Sequence, residues 1–327
     1  MGHPDWFMDG PPASLIAESR YGHPVLSAYY VQTASRRLEG IMTSEEFLAH
    51  LQAHAETFAK AVATDEGEWI VKGLIDVYKR IYTISVDTKL VSKVLELLLF
   101  PMFVEFAKIY KLEIELSPQQ NFYPDLTFRD RSTGSLFAVD IKSTYRKNDT
   151  DVNGMTLGAF TGYFRKRDTN KNTLYPYNKY SGHFVLGVIY SQCLDAIDER
   201  KSFTLDDLSK IPSVIKNFYF FAQPKYRIAA SRPGSGNTKN IGSVTKIKEM
   251  TNGEGPFFAL GEAVYDDYWK FYLTKDMAMA LEIERPYTNL KTYLEYKKRG
   301  IDVLAAHEDE ILGADGDESP ETGGDSE

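Results

Sequence analysis

Two charged residues interrupt an otherwise apolar strand at residues 136–145, LFAVDIKSTY, and this constrains the fold of the 327-residue chain more than any other feature. A segment of that composition is buried on at least one face, where an unpaired charge is costly. Asp140 and Lys142 are two residues apart, so they point to one face of a strand while Ile141 points to the other. The segment NFYPDLTF, residues 121–128, comes just before, and the intervening RDRSTGS holds the Asp, Ser and Gly that reverse a chain. The pair predicts a hairpin, with Asp125 brought beside Asp140 and Lys142.

Two carboxylates and an ammonium gathered this way suit one chemistry. A hard divalent cation such as Mg²⁺ takes oxygen ligands and keeps several waters, so one or two carboxylates and a phosphate oxygen complete its shell. The reaction would be hydrolysis of a phosphodiester. The cation offsets charge on the phosphate and lowers the pKa of the attacking water. Lys142 orients that water or stabilises the developing oxyanion. In-line attack expels the 3′ oxygen and leaves a 5′ phosphate. As a string alone, PD followed by DxK is common. Its weight comes from adjacent strands and from charges that an apolar strand must justify. The alternative is a surface Asp140–Lys142 pair on an edge strand.

The rest of the chain predicts a mixed sheet flanked by helices, in the α/β or α+β class. A helix is expected over residues 45–63, after Thr43-Ser44 as N-cap, and a long apolar one from Asp87 to Tyr110, kinked or split at Pro101. Short strands are expected over 68–86, a crossing helix over 155–170, strands at 183–190, 218–223 and 226–230, a short helix over 204–218, and Tyr/Trp-rich helices within 264–299. His50 and His54 are expected on a helix surface, since HLQAH lacks the glutamate of a zinc-protease motif. His183 is expected as a core histidine, and Trp69 and Trp269 as core or dimer packing.

Net charge is −8, which at first sight argues against nucleic acid. However, nine acids and no Lys or Arg fall in residues 306–327, and without those acids the rest of the chain carries +1. Residues 225–248 hold Lys225, Arg227, Arg232, Lys239, Lys246 and Lys248 with no acid before Glu249, and residues 142–179 are also rich in Lys and Arg. Such clustering is what a phosphate-binding face requires, or what solvated loops carry. The chain divides into an N-terminal extension over 1–44, a core over 45–304 and an acidic tail over 305–327 expected to be disordered. One cysteine, Cys193, excludes internal disulfides and makes a Cys-based zinc site untenable. The absence of a signal-like N-terminus or an apolar run of about 18 residues predicts a cytoplasmic protein of bacterial type with no membrane association.

These residues resemble the EcoRV group of type II restriction endonucleases, within the wider PD-(D/E)xK nuclease fold. The resemblance runs from about residue 45 to 300. It is carried by DTK at 87–89 with Glu96 and Pro101, QQN before YPD at 119–125, DIKSTY at 140–145, TLGAFTGYFR at 156–165, YPYNKY at 175–180, GSGNTKNIGS at 234–243, DDYWKFY at 266–272 and YLEYKKRG at 293–300, in the same order and similar spacing.

The resemblance implies a restriction-endonuclease-like fold and a Mg²⁺-dependent homodimer, Mn²⁺ being able to substitute, acting on double-stranded DNA. It implies a palindrome of the GATATC type, cut at its centre to blunt ends, and a DNA methyltransferase in the same cell protecting that site. Asp125, Asp140 and Lys142 match the catalytic positions, and Glu96 an auxiliary carboxylate for metal. The loop 234–240 matches the major-groove recognition loop. Base reading falls to Gly234, Gly236, Asn237 and Thr238, and phosphate contact to Asn240; glycine permits close approach, an Asn amide pairs with adenine and a Thr methyl meets a thymine methyl. The loop lacks the GK[ST] of a P-loop and the third glycine of a dinucleotide fingerprint. Gln120 and Asn121 match a minor-groove loop, with Gln120 on the DNA backbone and Asn121 on bases. Lys89 and Thr144 match backbone contacts. Lys239 departs from the pattern, in which an uncharged Thr is expected, and offers an additional phosphate contact. Two other readings stand beside this one: a repair or junction-resolving nuclease on the same core, and a non-catalytic DNA-binding module.

Overall fold

The computed structural model describes residues 41–119, 122–194, 200–234, 239–300, 304 and 307–313. The compact unit that holds the sheet begins at Ile41, a few residues ahead of the expected boundary, because Met42 is buried and Thr43 caps the first helix. That helix, α1 (Ser44–Ala53), carries a capping box: Thr43 accepts from the Glu46 N–H while the Glu46 carboxylate accepts from the Thr43 N–H. α2 (Ala55–Val62) follows directly, and β1 (Leu74–Ile75) and β2 (Ile81–Tyr82) form a small ribbon with β8 (Ser202–Phe203).

α3 (Thr88–Tyr110) is capped by Asp87, whose carboxylate accepts from the Leu90 N–H. Pro101 does not split it. A helical proline removes one N–H from the ladder, and the residue whose carbonyl loses it, Leu97, lies exposed, where water can replace the lost donor. β3 (Leu112–Leu116), β4 (Leu126–Asp130), β5 (Leu136–Tyr145), β7 (Tyr180–Gln192) and β9 (Ile215–Pro224) form the main sheet in the order 3-4-5-7-9, antiparallel except for the parallel pair β5–β7. This is the expected mixed sheet.

The period of two along β5 separates the two cores. Phe137 and Val139 join α1, α2 and α3 on one side, with Phe184, Leu186 and Val188 of β7. Leu136 and Ala138 join the other core, with Val185 and Ile189. Asp140 and Lys142 continue the Ala138 series.

On that second side lies a three-stranded sheet of β6 (Thr156–Ala159), β11 (Asn240–Ser243) and β10 (Ala229–Pro233). The helix expected over 155–170 is therefore absent: β6 and a 3₁₀ turn at Gly162–Phe164 stand there. Gly158 and Gly162 have φ of +95° and +54°, which an α-helix does not accommodate, and the partner of β6 lies some eighty residues away in sequence. The expected strand at 226–230 begins instead as the single helical turn α4 (Lys225–Ile228), and the short helix expected over 204–218 is a 3₁₀ segment, Leu205–Lys210, followed by β9.

α5 (Ile247–Asn252), α6 (Glu262–Lys270), α7 (Lys275–Ala280) and α8 (Leu290–Lys298) complete the second core around Trp269, Tyr265 and Tyr268, all fully buried. The tail is not without structure from 305: α9 (Glu308–Gly313) buries Ile311, whose carbonyl accepts from Arg165 Nη1 at 3.1 Å. Arg165 also donates to the carbonyls of Lys270 and Tyr272. Arg165 and Arg167, the latter paired with Asp266, thus belong to the fold rather than to the phosphate-binding face expected from charge clustering. His54 also departs from expectation: it is buried, bonded through Nδ1 to the His50 carbonyl, and burial holds it below the usual imidazole range. His183 is the core histidine expected.

Candidate active site

The hairpin register sets the site. Leu126 pairs with Val139 and Thr127 with Ala138, so Asp125, the residue just before β4, arrives opposite Asp140. The turn that fixes this register is tied by Asp130 Oδ1, which accepts from both the N–H and the hydroxyl of Ser132, and by Gly134 at φ +73°. Past the last paired residues, side chain replaces backbone. Asp125 Oδ2 accepts from the Ile141 N–H at 2.8 Å, and the Asp125 N–H donates to Asp140 Oδ1 at 3.3 Å. The two carboxylates are locked side by side.

Lys142 Nζ lies 3.4 Å from Asp125 Oδ2 and 3.8 Å from Asp140 Oδ2. Asp140 is nearly enclosed, with 5% of its side chain exposed, while Asp125 and Lys142 are partly open. Burial raises the Asp125 carboxyl above the usual range; Lys142 opposes that, and Asp140 and Glu96 add to it. Burial works against the Lys142 ammonium too, but Asp140 and Asp125 outweigh it and hold Lys142 above the usual lysine range.

A second lysine completes the group. Lys225, at the start of α4, is 1% exposed; its Nζ is 3.7 Å from Asp140 Oδ2 and 4.1 Å from the centre of the Tyr123 ring. Burial lowers it to about 8, with Asp140 pulling it upward and Lys142 pushing it down. The sequence offered no sign of this role, since Lys225 sits in a run that reads as basic surface. The Tyr123 hydroxyl and His183 Nδ1 share a hydrogen bond at 2.7 Å, and burial keeps the phenol un-ionised and the imidazole neutral.

The site opens into a groove of about 510 Å³ between α3, β5 and β6, lined by Lys89, Glu96, Lys142, Asn153, Thr156 and Gly158 among others. Glu96 forms a pair with Lys93 at 2.7 Å. Its charge is felt at Asp125 and Lys142, yet among the described residues no group of three or more His, Cys, Asp or Glu side chains converges. Lys89 is exposed on the first turn of α3 and faces the groove. Thr144, expected at the DNA backbone, is buried and its hydroxyl donates to the Asn153 carbonyl. Thr144 nevertheless lines the groove, so the residue stands beside Lys89 where a DNA backbone would pass.

Gly234 and Asn240 form the neck of the loop expected to read bases, with the Gly234 N–H donating to the Asn240 carbonyl at 3.0 Å. Gly236, Asn237 and Thr238, like Gln120 and Asn121, lie outside the described residues.

The donor set fits a hard divalent cation. The two carboxylates lie side by side, Lys142 beside them lines the groove, and burial makes Asp125 hold its proton more tightly than an ordinary carboxylate, a penalty that a cation's charge would offset. With two protein carboxylates, a bound ion draws its remaining ligands from water and phosphate.

The family described as restriction endonuclease EcoRV matches residues 65–298. The type II restriction enzyme EcoRV of Escherichia coli is 31% identical over 242 residues, covering 73% of this chain and 96% of that enzyme. With a paired-carboxylate and lysine centre on the central strand of a mixed sheet, the chain belongs to the EcoRV family of type II restriction endonucleases, which are site-specific deoxyribonucleases.

Proposed function

We propose that the protein hydrolyses one phosphodiester in each strand of a short palindromic DNA site, acting as a homodimer with Mg²⁺ held by Asp125 and Asp140. The observation that carries this reading is the convergence of Asp125, Asp140 and Lys142 within 4 Å at the mouth of a groove. When bound, Mg²⁺ supplies charge neutralisation at the phosphate and acidifies the attacking water. Asp125 and Asp140 are oriented for that ion by the Ile141 and Asp125 N–H groups. Lys142, held as an ammonium by both aspartates, donates to the phosphate oxygen on which negative charge develops. Glu96 acts as an auxiliary carboxylate through its field at Asp125 and Lys142. In-line attack leaves a 5′ phosphate and a 3′ hydroxyl.

Lys89, Thr144 and Asn240 contact the DNA backbone in this reading, as does Gln120, while Gly234, Gly236, Asn237, Thr238 and Asn121 face the bases. The target is of the GATATC type, cut centrally to blunt ends; Lys239, adding charge where the family carries Thr, is the feature most able to alter it. A palindrome matches a two-fold protein dimer with one site per strand. A surface suited to that contact is the β1–β2 ribbon, where Leu74, Ile75, Val77, Tyr78 and Tyr82 are exposed together. No helix among the described residues is long and apolar enough to cross a membrane, which suits a protein acting on cytoplasmic DNA beside a methyltransferase that protects the same sequence. Digestion of a sequenced plasmid with Mg²⁺, followed by sequencing of the fragment ends, tests the reading. Discrete fragments with blunt, 5′-phosphorylated ends at one palindrome are expected; random nicking, or no cutting, overturns it.

A further inference from the structure

We propose that Lys225 is a specificity-determining residue: its buried ammonium occupies the Asp140 carboxylate in the DNA-free protein and frees it for a divalent cation only when the segment that carries the recognition loop is engaged. The inference rests on the reading that Asp140 binds the cation and that the 234–240 loop reads bases.

Both Asp140 oxygens already have partners. Oδ1 accepts the Asp125 N–H at 3.3 Å, and Oδ2 lies 3.7 Å from Lys225 Nζ and 3.8 Å from Lys142 Nζ. An arriving cation must compete with these ammoniums, and two like charges in a poorly hydrated site repel strongly. Lys142 is partly exposed and can turn toward a bound phosphate. Lys225 cannot: it is 1% exposed and packed on the Tyr123 ring. It can leave Asp140 only by moving with its backbone.

That backbone leads to the recognition loop. Lys225 opens α4, α4 runs without a break into β10, and β10 ends at Pro233, next to Gly234. The other side of the loop reaches the same ammonium. β11 leaves the loop at Asn240 and pairs with β6, and a Cβ on Gly158 of β6 would lie 3.6 Å from Lys225 Nζ. A shift of this small sheet when the loop meets its bases therefore moves the ammonium relative to Asp140. Two ammoniums balance two carboxylates before a cation enters; adding the cation without moving either lysine leaves two uncompensated positive charges in the centre.

The test combines Mn²⁺ titration of the DNA-free, full-length protein, read by electron paramagnetic resonance, with cleavage of the target found by plasmid digestion and of single-base variants of it. Lys225→Met should bind Mn²⁺ about tenfold more tightly than wild type. Its preference for the target over single-base variants should fall at least about tenfold, chiefly through faster cutting of the wrong sites. A lysine with only a structural role would weaken metal binding and all cleavage alike. Unchanged or weaker Mn²⁺ affinity in a cooperatively melting Lys225→Met overturns the proposal. If that variant does not fold, Lys225→Gln, which keeps a neutral donor, carries the same comparison. Failure of both to fold overturns it as well, because the ammonium is then a structural element. Asp140→Asn separates the two levels: wild-type Mn²⁺ binding that survives in it removes the metal reading and this proposal with it, whereas Asp140-dependent binding that ignores Lys225 removes the proposal alone.

Discussion

Asp140 sits where several demands meet: it accepts from Asp125, faces two ammoniums and presents the least exposed carboxylate of the site. Replacement by Asn keeps its shape and removes its charge. Cleavage is expected to fall at least about 10³-fold, since the loss removes both a cation ligand and the counter-charge that orients Lys142. The melting temperature should fall too, because Lys225 is left buried without its anion. Gel-based cleavage beside a thermal melt reads both; cleavage within a few-fold of wild type would remove the catalytic assignment. Asp125, Asp140 and Lys142 were legible in the sequence because strand alternation and turn chemistry are local rules acting within about twenty residues. Lys225 was not. Its burial is set by Tyr123, by β5 and by a glycine on β6, all remote in sequence, and a lysine after a strand looks the same whether it faces water or a carboxylate. Thr144 shows the same limit: the string places it beside the groove, but not that its hydroxyl is bonded to the Asn153 carbonyl.

Among the elements, the neck of the 234–240 loop, proposed above to read bases, depends on the absence of side chains. A Cβ on Gly242 would lie 2.7 Å from Gly234 Cα and 3.2 Å from the Arg232 carbonyl oxygen. Both contacts are with backbone, so β10 and β11 would have to separate. Gly242→Ala should destabilise the protein by about 1–3 kcal/mol and weaken target binding relative to random DNA, read by a melt and by competition binding. Wild-type selectivity in this variant would show that the loop does not depend on its neck. The elements missed from sequence follow the same logic. TLGAFTGYF was expected to be helical, yet its glycines take left-handed φ values and its partner β11 comes only after β7 and β9 of the main sheet and after β8 and β10. The hairpin, α1 with its capping box and the long α3 were readable because their signals are contiguous.

For the molecule as a whole, acid should be a point of weakness. His183 is fully enclosed beside Lys225 and Arg167, and burial, followed by those charges, holds its pKa well below 6.5. The unfolded chain then binds a proton that the folded one refuses, so stability is fully present above about pH 7 and is lost as pH falls below 6.5, with a slope of at most about 1.4 kcal/mol per pH unit. His54 is lowered by burial and adds in the same direction. Urea melts from pH 8 to 5 should show the decline, with a shallower slope in His183→Gln; equal slopes would clear His183 of the effect. Assembly is the other property at this scale. Val77 is 90% exposed and Tyr78 75%, beside Leu74 and Ile75 on the β1–β2 ribbon. A free monomer gains nothing from keeping such a patch in water, while two copies placed face to face by a two-fold axis would cover it. The double change Val77→Asp and Tyr78→Asp puts four like charges into such a contact and nothing into either core. Analytical ultracentrifugation should then find a monomer with an unchanged melting curve at low concentration. Because one active site reaches one strand, that monomer should convert supercoiled plasmid to the nicked circle before any linear product, where the wild type yields linear DNA directly. A dimer that survives both aspartates would move the interface elsewhere on the surface and leave the ribbon's apolar face without its assigned partner.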